Sequence, residues 1–131
     1  PVTAGDPMGT ALAAVKQGVL AQRSVFFDYD SYVIKDEFKS LVEAHARFLV
    51  ANPKVKMLIQ GNADERGSRE YNLALGQKRA EALKKMLLLL GAREDQVEAV
   101  SLGEEKPRCS EAGEACWSKN RRDDMLYTGE F

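Results

Sequence analysis

Between Asp36 and Ala51 the residues Phe38, Leu41, Val42, His45, Phe48 and Leu49 recur at steps of three and four. That spacing predicts an amphipathic helix, stopped by Asn52-Pro53. A second helix is predicted from about Arg69 to Leu90, with Leu73, Ala80, Leu83, Leu87 and Leu90 on one stripe and Gly91 as its C-terminal stop. Shorter runs carry strand patterns. Ser24 to Phe27 is β-branched and aromatic before breaking at acidic turn formers, and Val55 to Gly61, Val97 to Leu102 and Asp124 to Thr128 follow as strands. Gly103 to Asn120 reads as one long loop. The order β-α-β-α-β-β, with helices longer than strands, predicts an α/β fold in which two main helices pack on a mixed sheet through right-handed crossovers. Residues 1–22 read as a flexible tether with one loose helical turn, and residues 23–131 as the folded domain.

Composition narrows the function. The chain has 131 residues, with 19 Lys+Arg against 20 Asp+Glu and a formal net charge of −1. This length suits one domain with a single core. The absence of a basic field excludes a nucleic-acid binder that works by phosphate neutralisation, and no uncharged stretch approaches the roughly 20 residues of a membrane span. The two cysteines, Cys109 and Cys116, are seven positions apart, and the only histidine, His45, is far from them in sequence. No metal site is expected from so few ligands. A local disulfide fits the pair better. It would close a loop worth roughly 2.5 kcal/mol on a chain-entropy basis, staple the segment before the last strand away from any ligand, and point to an oxidising compartment such as the periplasm.

Catalysis and cofactors are not expected. His45 sits on an apolar stripe as a core residue, and the chain lacks a nucleophile elbow, a P-loop, a zinc-protease helix and a dinucleotide glycine pattern. The informative stretch runs from Gly61 to Ala80. Asp64 leaves the second strand at its C-terminal end, the edge where open sheets place ligands. Asn72, Leu75, Gly76 and Arg79 follow at i, i+3, i+4 and i+7 and share one helical face. A carboxylate at the loop and a guanidinium on that face would make a bipolar pocket suited to a zwitterion. The same spacing allows the two to form a structural ion pair.

Asp64 followed by Asn72-Leu73-Ala74-Leu75-Gly76-Gln77-Lys78-Arg79-Ala80 resembles the motif of the OmpA-like peptidoglycan-binding family. The match continues at Phe27-Asp28-Tyr29-Asp30, Glu43-Ala44-His45-Ala46, Ala63-Asp64-Glu65-Arg66-Gly67, Gly103-Glu104-Glu105-Lys106-Pro107 and Ser118-Lys119-Asn120-Arg121-Arg122, and spans about Ser24 to Tyr127. It is strongest with the family's lipoprotein branch, which works with the Tol proteins. The resemblance implies an OmpA-like α/β sandwich that binds the meso-diaminopimelate stem peptide of peptidoglycan without covalent attachment. It implies Asp64 on the ligand's ammonium and Arg79 on its carboxylate, with Asn72 and Leu75 on the helix side and Ala63 beside Asp64. Tyr29 and Asp30 would close the opposite wall through backbone groups, and Arg66 would brace the loop. It further implies a place on the periplasmic face of the outer membrane, through an N-terminal lipid anchor missing from this chain, and TolB as a partner. The alternatives are the wall-binding domain of an OmpA-type porin or flagellar stator protein, and a wall-cleaving hydrolase, against which the missing nucleophile and metal ligands count. Asn62 stands where many family members have His, and the cysteine pair has no counterpart in the motif.

Overall fold

The computed structural model describes residues 7–131. Four strands form one mixed sheet in the order β1-β4-β2-β3, where β1 is Ser24–Phe26, β2 Met57–Asn62, β3 Val97–Gly103 and β4 Arg122–Tyr127. β4 pairs antiparallel with both β1 and β2, and β2 pairs parallel with β3. The parallel pair needs a crossover, and the long helix α3 (Arg69–Leu89) supplies it. Helix α2 (Lys39–Ala51), entered through a 3-10 turn at Asp36–Phe38, connects β1 to β2. The sheet residues Val25, Met57, Ile59, Met125 and Tyr127 meet Val42, Ala46 and Leu49 of α2 and Ala80, Leu83 and Leu87 of α3 in one core. Positions between them on β2, such as Leu58 and Gln60, are only half-buried, as expected of strands covered by helices on one face.

Helix α3 is set by its ends. The Ser68 side chain accepts from the Tyr71 amide at 3.0 Å as an N-cap. At the other end the amides of Gly91 and Ala92 donate to Leu88 and Leu87, with Gly91 at φ 113°, a Schellman closure. The stripe is narrower than its apolar letters suggest. Leu73 is 50% exposed and Leu90 40%, because the face turned to the sheet runs through Asn72, Leu75, Gly76 and Arg79 instead.

Two further expectations change. Residues 1–6 of the expected tether lie outside the described residues. From Pro7 the chain forms α1 (Pro7–Ala14) and a 3-10 turn (Gly18–Ala21), and Ala11 and Val15 join the core. Arg23 holds this stretch by donating to the carbonyls of Val15 and Leu20, so residues 7–21 pack on the domain rather than hang from it. Within the expected loop 103–120, a short helix α4 (Glu114–Asn120) begins after Gly113, whose φ of 115° turns the chain into it. Cys109 and Cys116 are disulfide-bonded across this turn.

His45 is fully buried on α2. Its Nε2–H donates to the Gln22 carbonyl at 2.8 Å, so Nδ1 accepts from the Tyr127 hydroxyl at 2.5 Å. Burial pushes its pKa down to about 4, against the raising effect of the Gln22 carbonyl. The fold therefore holds neutral imidazole, while the unfolded chain takes up a proton near pH 6.5. Stability from this group is complete above that pH and is lost as pH falls toward 4. Chemical denaturation should show wild type losing about 2 kcal/mol more than His45→Gln between pH 7 and 4.5. Equal losses would mean that His45 carries no such penalty.

Candidate functional site

The site is made by a close approach of backbone to backbone. Gly76 of α3 lies on Gly61 of β2, so that a Cβ on Gly76 would stand 2.8 Å from the Gly61 carbonyl oxygen. Only glycine permits this contact. It seats the first half of α3 directly over the end of β2, and the loop between them cannot stray far from the sheet edge. There the chain folds a cavity of about 50 Å³, lined by Tyr29, Asp30, Ala63, Asp64, Arg66, Gly67, Tyr71, Asn72, Leu75 and Arg79. All seven ligand-site residues expected from the sequence border it, and Arg66, Gly67 and Tyr71 join them.

Arg79 is fully buried. Its Nε donates to the Ser31 carbonyl at 2.7 Å, Nη1 to Asn62 at 2.8 Å and Nη2 to Asp28 at 3.1 Å. Three of the five N–H donors of a guanidinium are spent this way, which leaves two. Burial pushes its pKa down to about 10, opposed by the buried carboxyl of Asp123, so it stays charged at neutral pH. Asp123 stands opposite Gly61 on β4, and neither of its oxygens accepts a hydrogen bond from the described residues. Burial drives that carboxyl well above its ordinary range, against the pull of Arg79, and so favours its neutral form. Arg79 keeps a positive charge with no carboxylate bound to it.

Asp64, 4% exposed, has other partners. The Arg66 amide and Nε reach one oxygen at 3.0 and 3.2 Å, and Nη2 reaches the other at 2.8 Å. Arg121 stands 3.5 Å from that second oxygen. Burial pushes the Asp64 carboxyl up, but the Arg66 and Arg121 contacts outweigh it and hold it below the usual range. The structural ion pair allowed by the sequence, Asp64 with Arg79, is therefore not formed. The two opposite charges face the same cavity, each held by different groups.

The far wall differs from expectation as well. Asp30 adopts φ 52°, a conformation tolerated by Asp and rare for other side chains. Its carboxylate accepts from the Tyr71 hydroxyl across the mouth, and the Tyr29 ring lies 4.0 Å from the Arg66 guanidinium. Side chains, not backbone alone, close this wall. Asn72 is fixed by donating to Glu104 at 2.9 Å. Residue spacing does not reveal Arg66 as a partner of Asp64, nor Arg121 at all. Arg121 arrives from the far end of the chain, and its only signal was membership of the matching Ser118–Arg122 stretch. Among the described residues no group of His, Cys, Asp and Glu is gathered as a metal cage.

The OmpA family pattern matches residues 26–121. A peptidoglycan-associated lipoprotein of Pasteurella multocida is 48% identical over 104 residues, covering 79% of this chain and 69% of that protein. That of Haemophilus influenzae is 42% identical over 126 residues, covering 95% and 82%. The crystal structure of the peptidoglycan-associated lipoprotein from Burkholderia pseudomallei superposes with a TM-score of 0.85 at 53% identity, over 86% of this chain and 96% of that one. The C-terminal domain of Helicobacter pylori MotB shares the fold, with a TM-score of 0.74 at 21% identity over 80% and 83% of the two chains. The chain belongs to the OmpA family, among relatives that carry the name peptidoglycan-associated lipoprotein.

The geometry separates the two charged residues in their effect on stability. Removing Arg79 strands three carbonyls, two of them in the loop after β1, at about 1–3 kcal/mol for each that stays buried. Arg79→Ala should therefore lower unfolding free energy by about 3 kcal/mol or more. Asp64→Ala should cost less, because Arg121 keeps Glu114 and the Phe27 carbonyl as partners. Denaturant melts of both variants check this, and equal small losses would show that Arg79 does not hold the loop.

Proposed function

We propose that this domain binds peptidoglycan non-covalently through the zwitterionic end of meso-diaminopimelate in its stem peptide, and so anchors the outer membrane to the cell wall. The observation that carries the reading is the pair of opposite charges on one small cavity. Asp64 is ionised and Arg79 is charged with two donors unspent, and neither neutralises the other. The cavity has room for about four water-sized groups, which suits a carbon bearing an ammonium and a carboxylate. The rest of the stem would lie across the mouth, where Tyr29 and Tyr71 are 60% and 51% exposed.

In this reading Asp64 accepts from the ammonium and Arg79 donates to the carboxylate. Ala63, Asn72 and Leu75 shape the helix side, while Tyr29 and Asp30 close the outer wall. Residues 23–131 carry the wall-binding site, with residues 7–21 packed on them, and a lipid anchor N-terminal to this unit holds it on the periplasmic face of the outer membrane. The relatives' name, which speaks of association with peptidoglycan and of a lipoprotein, supports binding rather than cleavage. In the same reading the domain works with the Tol proteins, with TolB as its periplasmic partner.

Diaminopimelate offers both charges at its end, whereas a lysine stem offers the ammonium alone and leaves Arg79 without its anion. An unpaired buried charge of this kind costs roughly 1–3 kcal/mol, so calorimetric titration should find diaminopimelate muropeptides bound at least about tenfold tighter than lysine ones. Asp64→Ala should lose a similar factor for the diaminopimelate ligand. Equal affinity for the two stems would overturn the assignment of Arg79 to the carboxylate.

A further inference from the structure

The helix α4 is stapled at its base. The Cys109–Cys116 disulfide brings the Cα atoms to 5.3 Å, and Asn120 adds two hydrogen bonds from its ends to Cys109, accepting from the amide at 3.0 Å and donating to the carbonyl at 2.7 Å. Glu114, Trp117 and Arg121 fall at i, i+3 and i+7 and share one face. That face is turned to the wall-binding cavity. Arg121 grips Glu114 at 2.7 and 2.8 Å and stands 3.5 Å from Asp64. The Trp117 ring lies 4.0 Å from the Arg66 guanidinium, the same distance as Tyr29, and the Trp117 indole N–H donates to Glu65 at 2.9 Å.

Arg66 is thus held by both Tyr29 and Trp117. Its backbone amide, Nε and one Nη2 proton serve Asp64; the Glu114 carboxylate stands 3.9 Å from Nη2, beyond hydrogen-bond reach, and Nη1 has no hydrogen-bond acceptor among the described residues. A guanidinium held in this way offers a planar, two-pronged donor edge to an incoming carboxylate.

We infer that Trp117 is a positioning residue of the wall-binding site, which together with Tyr29 fixes Arg66 so that its free edge receives a second carboxylate of the bound stem peptide. The inference rests on the stem-peptide reading given above. It assigns the disulfide-stapled segment, which the sequence placed away from the ligand, to the support behind the Arg66 wall of the pocket. Without Trp117 the guanidinium keeps one aromatic contact and Asp64 but regains rotamer freedom, and the ligand must order it again.

Isothermal titration with a soluble monomeric diaminopimelate muropeptide tests this on the folded chain. Trp117→Ala should bind about fivefold more weakly and Arg66→Ala about tenfold. The double variant should bind no more weakly than Arg66→Ala alone, because Trp117 acts through Arg66. Trp117→Phe should restore most of the loss, since it keeps the ring face. Trp117 is the single tryptophan, so wild-type emission should shift on saturation, and Asp64→Ala should abolish the shift. Additive losses, or tighter binding by Arg66→Ala, would overturn the inference. So would wild-type affinity in Trp117→Ala while Asp64→Ala loses binding, and that result would leave the stem-peptide reading standing. Wild-type affinity in Asp64→Ala would overturn both.

Discussion

The arrangement depends on one buried guanidinium. Arg79 reaches from α3 to the carbonyls of Asp28 and Ser31 in the loop after β1 and of Asn62 at the end of β2. Three separate chain segments are joined by a group that burial alone would make costly. The charge is retained because its hydrogen bonds are good and because the carboxyl of Asp123, buried nearby, opposes the effect of burial. A neutral side chain of the same length could fill the space, but it could not donate to three carbonyls and still hold a charge for a ligand.

The Gly61–Gly76 contact is the geometric condition for this. It lets α3 settle onto the strand closely enough for Arg79, one turn further on, to reach over the strand's end. Asp64 then leaves β2 on the same side as Arg79, held by Arg66 and Arg121. The result is a polar cavity in which neither of the two opposite charges is spent on the other. Fold and site are the same construction here: Arg79, which locks the loop after β1, also presents one of the two charges.

Much of this was legible in the chain. The periodicity of α2 and α3, the four strands in their order and the stop at Gly91 follow from local patterns that tertiary packing did not override. The face Asn72, Leu75, Gly76, Arg79 was visible as spacing, and the structure brings it together with Asp64, Tyr29 and Asp30. The differences have separate physical causes. Leu73 and Leu90 join the predicted stripe because they are apolar, although the buried face runs from Asn72, Leu75, Gly76 and Arg79 into Ala80, Leu83 and Leu87. Helix α4 is too short to show a period, and a disulfide and a glycine start it. Arg121, Trp117 and Glu114 reach the site from some fifty positions beyond Asp64, and no local pattern carries such a contact. The packing of residues 7–21 depends on Arg23 and on the two small apolar residues Ala11 and Val15, which resemble linker composition when read alone.

In the proposed complex Asp64 and Arg79 hold the two charges of one diaminopimelate carbon. A crystal structure of the domain with a soluble diaminopimelate muropeptide tests it most directly. The ligand's ammonium should lie about 2.8 Å from an Asp64 oxygen and its carboxylate within about 3 Å of the Arg79 guanidinium, with the three carbonyl contacts of Arg79 kept. A muropeptide seated elsewhere, or one whose carboxylate points away from Arg79, would contradict it.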